Sequence, residues 1–138
     1  MSKSKLKILA IIGARSGSKG VPDKNIKLFC GQPLISGIIK TAFKSRYINR
    51  VVVSTDSKKY ARIAQEYGAE VPFIRPKKFA RDNSPEVQYV LHAVKWFEEE
   101  ENYRPDIIVR LLPTIPLQQS EDIDCCIEKL LSDSKADS

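Results

Sequence analysis

Short apolar runs recur along the chain at intervals of roughly twenty residues, the spacing of βα units, with polar or helix-periodic stretches between them. The first run, Lys7 to Gly13 (KILAIIG), is aliphatic, β-branched and closed by glycine, which predicts a strand covered on both faces at the start of a parallel sheet. After a polar loop and a Gly31-Gln32-Pro33 turn, Leu34, Ile35, Ile38, Ile39, Ala42 and Phe43 repeat at helical spacing and predict a crossover helix packed on that sheet. Arg50 to Thr55 (RVVVST) predicts a second buried strand, Asp56-Ser57 a helix start, and Lys58 to Tyr67 a helix closed by Gly68. Val71 to Ile74, bounded by Pro72 and Pro76, predicts a short third strand. Ser84-Pro85-Glu86 then supplies a cap, a first-turn proline and an acidic residue to a helix reaching about Glu101. Pro105 to Leu112 (PDIIVRLL) predicts a fourth strand ending at a Pro113-Thr114-Ile115-Pro116 turn, and Ser120-Glu121-Asp122 starts a last helix through about Leu131.

Strict alternation of strand and helix argues for an α/β fold: an open, doubly wound, mostly parallel sheet in three layers, with ligands beyond the carboxyl ends of the strands. With 138 residues and 42% hydrophobic content the chain can bury one real core, and residues 1–138 are expected to form a single domain. Trp96 and Phe97, with Val90, Leu91 and Val94 at helical offsets, are expected in that core, and Glu98 to Glu101 is expected to be a solvated helix end. His92 stands within the same helix without a second ligand or nucleophile at useful spacing.

A net charge of +6 changes the picture by favouring an anionic partner. The small basic clusters, Lys3, Lys5, Lys7 and Lys77, Lys78, Arg81, lack interleaved aromatics, so a small phosphorylated ligand ranks ahead of nucleic acid. Cys30, Cys125 and Cys126 form no CxxC pair, which fits a reduced, cytoplasmic setting. The apolar stretch Ile8 to Ala14 is only strand length, so neither a signal peptide nor a membrane partner is expected.

Candidate chemistry gathers in the loop after the first strand, where Gly13, Gly17 and Gly20 accompany Arg15, Lys19 and Lys24, with Pro22 to stiffen the turn. Glycines let backbone N–H groups approach phosphate oxygens, an arginine fork grips two oxygens at once, and lysines neutralise the remaining charge. A polyphosphate cradle follows. It is not a P-loop, because Ser18 and Gly20 stand where a second glycine and a Ser or Thr are required, and Arg15 breaks the first G-x-G of a dinucleotide fingerprint. Arg75, read as an open guanidinium after a strand, is a further base or phosphate reader. Asp56 is read as a helix cap ahead of a metal neighbour.

IGARSGSKGVPDKNIKLFCGQPLI resembles the opening of the CMP-sialic acid synthetases, the acylneuraminate cytidylyltransferases, and VVVSTDSKKYARIAQEYGAEVPFIRP and PTIPLQQSEDID resemble that family's following blocks in the same order. The resemblance implies the nucleotide-diphospho-sugar transferase variety of Rossmann-like fold. It also implies a reaction of CTP with a sialic-acid-like nonulosonic acid that gives a CMP-sugar and pyrophosphate with Mg²⁺. Within it Arg15 and Lys24 match catalytic nucleotide-binding positions, and Gly17, Ser18, Lys19 and Asn25 share the phosphate cradle. Arg75 matches a base-region arginine, Ser84 stands in for a base-contacting serine where Glu86 occupies the family's position, and Thr114 falls in the sugar-binding block. Leu112, Ile115 and Gln118 replace a glutamine, a serine and an arginine of the pattern, which points to a sugar other than N-acetylneuraminate, such as legionaminic or pseudaminic acid.

Family members extend further, with more strands, a dimerisation segment and a metal-binding aspartate pair. The chain is therefore expected to be a truncated nucleotide-binding portion, holding CTP weakly with little turnover alone and dimerising in the full-length architecture. A related nucleotidyltransferase for another acidic sugar such as deoxyoctulosonate, and a non-catalytic nucleotide-binding or regulatory module, are the alternative readings.

Overall fold

The computed structural model describes residues 6–14, 28–29, 32–80, 86–112 and 119–132. In chain order its elements are β1 (Ile8–Gly13), β2 (Leu28–Phe29), β3 (Gln32–Pro33), α1 (Leu34–Lys44), β4 (Arg50–Ser54), α2 (Lys58–Glu66), a 3-10 turn at Lys77–Phe79, α3 (Glu86–Glu101), β5 (Ile107–Leu111) and α4 (Ser120–Ser132). β1 is the middle of a three-stranded parallel sheet ordered β4-β1-β5. Gly13 pairs with Ser54 and Ile12 with Leu111, so the three strands end at one edge.

Alternation along β1 divides the core. Ile8, Ala10 and Ile12 join Val51 and Val53 beneath Ile35, Ile38, Ile39 and Ala42 of α1, Tyr60 and Ala64 of α2, and Ile123 and Ile127 of α4. Leu9, Ile11 and Val52 face the other way, onto Tyr89, Ala93 and Phe97 of α3. Helices on both faces explain why β1 reads as an uninterrupted apolar run, and Ile8 to Ile12 are 1% exposed or less. The chain goes from β1 through α1 to β4 on one side, then back past β1 to β5 with α3 on the opposite face. The winding therefore reverses at β1, as the doubly wound, three-layer reading requires.

Local signals act where they were expected, with some substitutions of residue. Ser57 caps α2: its backbone is extended and its hydroxyl accepts the Tyr60 N–H at 3.2 Å. Gly68 follows that helix at φ +97°, a conformation in which a side chain is strained, while its N–H closes onto the Gln65 carbonyl at 3.0 Å. Asn102 ends α3 at φ 52°, a left-handed position that asparagine tolerates.

Several expectations are corrected. Val71 to Ile74 is not a strand: pairing with β4 is confined to a bridge between Glu70 and Val52, because Pro72 has no N–H to continue the ladder. Gln32-Pro33 belongs to a small antiparallel hairpin with Leu28-Phe29 instead of a plain turn. Phe43 does not pack on the sheet; it is 53% exposed and lies beside Gly68. In α3 the buried row is Tyr89, Ala93 and Phe97, while Leu91 turns outward at 60% exposure. The acidic end of α3 is not merely solvated. Glu101 and Glu70 both receive the Arg50 guanidinium, at 3.0 and 2.8 Å, and its carbon lies 4.8 Å from the Phe97 and Tyr103 rings. Arg50 so ties β4 to the close of α3, and these partners hold its proton even more firmly than usual.

A candidate nucleotide site at the strand ends

The carboxyl ends of β1 and β4 are stitched together where the candidate loop departs. The Ala14 N–H donates to the Ser54 carbonyl at 3.0 Å, one residue before Arg15 in the chain. Ser54 and Thr55 are fully buried although polar, because an apolar strand carries them to an edge where other backbone and side-chain groups satisfy them. The Thr55 carbonyl accepts the Arg75 N–H at 2.7 Å, so the segment that leaves the sheet after Glu70 returns to it at Arg75.

Arg75 is the one sequence-predicted site residue within the described portions, and it is not the open guanidinium expected. It is 3% exposed. Nε donates to the Ser54 hydroxyl at 3.0 Å, Nη2 donates to the Ser54 carbonyl at 2.7 Å, and the guanidinium carbon lies 4.3 Å from the Tyr89 ring centroid. The reason is reach: the long stem folds back along β4, and a desolvated arginine needs hydrogen bonds and an aromatic face in place of water. Arg15, Gly17, Ser18, Lys19, Lys24, Asn25, Ser84 and Thr114 lie outside the described residues.

The neighbourhood is cationic. Lys77 stands 3.7 Å from the Asp56 carboxylate, whose side chain is largely buried, so Asp56 faces the 3-10 turn while Ser57 takes the capping role. His92 meets Phe73 edge-on at 4.9 Å; burial lowers its pKa, and the Arg75 and Lys78 charges lower it further. Among the described residues no three His, Cys, Asp or Glu side chains gather to hold a metal ion. Leu112, at the expected glutamine position, is half-buried just beyond β5. A groove of about 360 Å³ between β5 and α4 is walled mainly by aliphatic residues such as Ile107, Val109, Ile123 and Ile127, with Arg110 and Asp122 also in its lining.

Sequence reasoning passed over Ser54 and Tyr89, and read Gly13 as part of the loop and not as a packing position. Ser54 carried a signal, a hydroxyl closing an otherwise aliphatic strand. Tyr89 would have emerged had α3 been phased on Tyr89, Ala93 and Phe97. A β-carbon on Gly13 would stand 2.6 Å from the Tyr89 ring, a close approach that no motif announces.

A family model described as Cytidylyltransferase matches residues 9–138. The chain is 39% identical over 123 residues to the CMP-N,N'-diacetyllegionaminic acid synthase of Legionella pneumophila, covering 89% of this chain and 53% of that one. It is 37% identical over 117 residues to the N-acylneuraminate cytidylyltransferase of Escherichia coli O18:K1:H7, covering 85% of this chain and 26% of that one. The chain thus spans about half or less of the length of these relatives. A solved CMP:2-keto-3-deoxy-manno-octonic acid synthetase, complexed with CTP, superposes with a TM-score of 0.78 at 20% identity over 94% of this chain and 49% of that one, a likeness of fold.

Proposed function

The chain belongs to the cytidylyltransferase family, and from that membership we propose that it binds CTP at the carboxyl ends of β1 and β4 and serves cytidylyl transfer to a sialic-acid-like nonulosonic acid. One observation carries the reading: RSGSKGVPDKN begins directly after Ala14, whose N–H is bonded to the same Ser54 carbonyl that holds Arg75. A loop of three cations and two glycines joined to such a fixed strand end suits a triphosphate.

In the proposed reaction the sugar's anomeric hydroxyl oxygen forms a bond to the α-phosphorus of CTP. The α–β bridging P–O bond breaks, pyrophosphate leaves with the electron pair, and the hydroxyl proton passes to solvent. No covalent enzyme intermediate is needed, so alignment and charge cancellation supply the catalysis. Arg15 and Lys24 are proposed to neutralise the charge that moves onto the leaving pyrophosphate. Gly17, Ser18, Lys19 and Asn25 hold the phosphates, Arg75 and Ser84 serve the nucleoside side, and Thr114 serves the sugar.

Mg²⁺ is the proposed metal. The described residues offer it no carboxylate cluster, and in phosphate sites Mg²⁺ is bound largely by substrate oxygens and water. Residues 1–138 are proposed to form one nucleotide-binding domain, and the protein to dimerise through the fuller architecture of its relatives. The exposed Cys125 and Cys126, without disulfides, support a reducing setting, and we place the protein in the cytoplasm.

A coupled pyrophosphate-release assay with CTP, Mg²⁺ and a panel of nonulosonic acids tests the reading. Release that requires CTP and a legionaminate- or pseudaminate-type acid is expected. Release that prefers another nucleoside triphosphate, or 3-deoxyoctulosonate over every nine-carbon acid, would replace it; no release under any combination would leave a nucleotide-binding module.

A further inference from the structure

We infer that Tyr89 is a positioning residue of the nucleotide site, acting through Arg75; this rests on the reading of that site just given. The Tyr89 ring lies between two parts of it. On one side is Gly13, the last residue of β1, where a β-carbon would meet Tyr89 Cζ and Oη at 2.6 Å, so the ring fills the space any other residue's side chain would need. On the other is the Arg75 guanidinium, 4.3 Å from the ring centroid, within cation–π range.

Arg75 returns to the sheet through Ser54. Its Nε donates to the Ser54 hydroxyl at 3.0 Å and its Nη2 to the Ser54 carbonyl at 2.7 Å, and that carbonyl also accepts the Ala14 N–H at 3.0 Å. Gly13, Tyr89, Arg75, Ser54 and Ala14 therefore close a circuit, and two of its members are the residues immediately before Arg15. Tyr89, Arg75, Ser54 and Ala14 are all 4% exposed or less, so solvent does not loosen it. A guanidinium on a long stem has many rotamers; stacking on a ring already wedged against β1 removes that freedom before a ligand arrives. The circuit fixes the Arg75 cation and the departure point of the 15–25 loop relative to each other. The Arg75 contact is made by the ring, so phenylalanine can keep it where leucine cannot.

The test is calorimetric titration of the full chain with CTP and Mg²⁺, with the Arg75 Nε–H resonance as a nucleotide-free readout. Tyr89→Leu is expected to weaken CTP binding about tenfold and to speed solvent exchange at Arg75 Nε–H. Tyr89→Phe is expected to rescue most of both losses. In an Arg75→Ala background, Tyr89→Leu is expected to change CTP affinity by less than about twofold, because the group it positions is gone. A purely structural role would give the same loss in both backgrounds. If Tyr89→Leu does not fold, Ser54→Ala carries the same test, since it removes the Nε acceptor without touching α3, and its loss is likewise expected to vanish beside Arg75→Ala. Wild-type CTP affinity in the single variants, or losses that add to that of Arg75→Ala, overturns the inference. A wild-type protein with a protected Arg75 Nε–H and no CTP affinity overturns the reading of the site, and the positioning role falls with it.

Discussion

Single residues at the strand ends take their properties from the company the sheet gives them. Arg75 is charged and buried because Ser54 and Tyr89 replace its water, whereas Arg15, in the glycine-bearing segment that follows Ala14, is proposed to meet phosphate directly. Arg15→Ala is expected to cost about 1 to 3 kcal/mol of CTP binding, the range for removing one partner of a charged hydrogen bond; unchanged affinity in titration calorimetry removes Arg15 from the site. His92 supplies a pH response. Its folded pKa lies below the ordinary imidazole value, mainly through burial, so the unfolded chain takes up a proton that the folded chain resists. Its contribution to stability is complete above the unfolded value and is lost as pH falls toward the depressed folded one. Urea midpoints are expected to fall between about pH 7 and pH 5, and His92→Gln to flatten that stretch.

At the scale of elements, β1 and β4 were legible because two-sided burial writes an aliphatic run, and β5, whose residues alternate between half-buried and exposed before Leu111, was legible from its β-branched composition; all three lie within the runs that predicted them. Gly68 and Ser57 were legible because a left-handed backbone and a helix start each ask for a particular chemistry. Val71 to Ile74 misled because its apolar residues pack without pairing, and Pro72 forbids the ladder that the composition suggests. The phase of α3 was partly legible: Phe97 is in the core and Val90, Val94 and Trp96 pack against it, but Leu91 is exposed, and Tyr89 and Ala93 complete the buried row. Of the candidate site, the sequence offered the proposed loop motif with Gly13 and a single arginine, but not the circuit that joins them through Ser54 and Tyr89, which needs distant segments brought together.

A polar link between helices was also invisible in sequence. Asp124, buried in α4, accepts the Ser45 hydroxyl and, at 3.2 Å, the Arg46 N–H just past the end of α1. Asp124→Ala leaves both donors without their acceptor and is expected to cost about 1 to 3 kcal/mol in denaturant unfolding. Glu128→Ala, one turn along, breaks only exposed contacts with Arg46 and Tyr47 and is expected to cost less than about 1 kcal/mol. Equal costs for the two would deny that Asp124 clamps α1 to α4.

For the molecule as a whole, the strand register gathers β1, β4 and β5 at one edge, and the reversal of winding at β1 opens that edge to a ligand. A net charge of +6 supports an anionic one. If the loop's cations carry the triphosphate, raising salt from about 0.05 to 0.5 M should weaken CTP binding much more than cytidine binding. The central claim is that this edge is a cytidine-nucleotide site, and calorimetric titration of the chain with CTP, UTP, ATP and GTP in the presence of Mg²⁺ tests it most directly. CTP is expected to bind about tenfold or more tightly than each of the others. Equal affinity for all four, or a preference for a purine nucleotide, would contradict it.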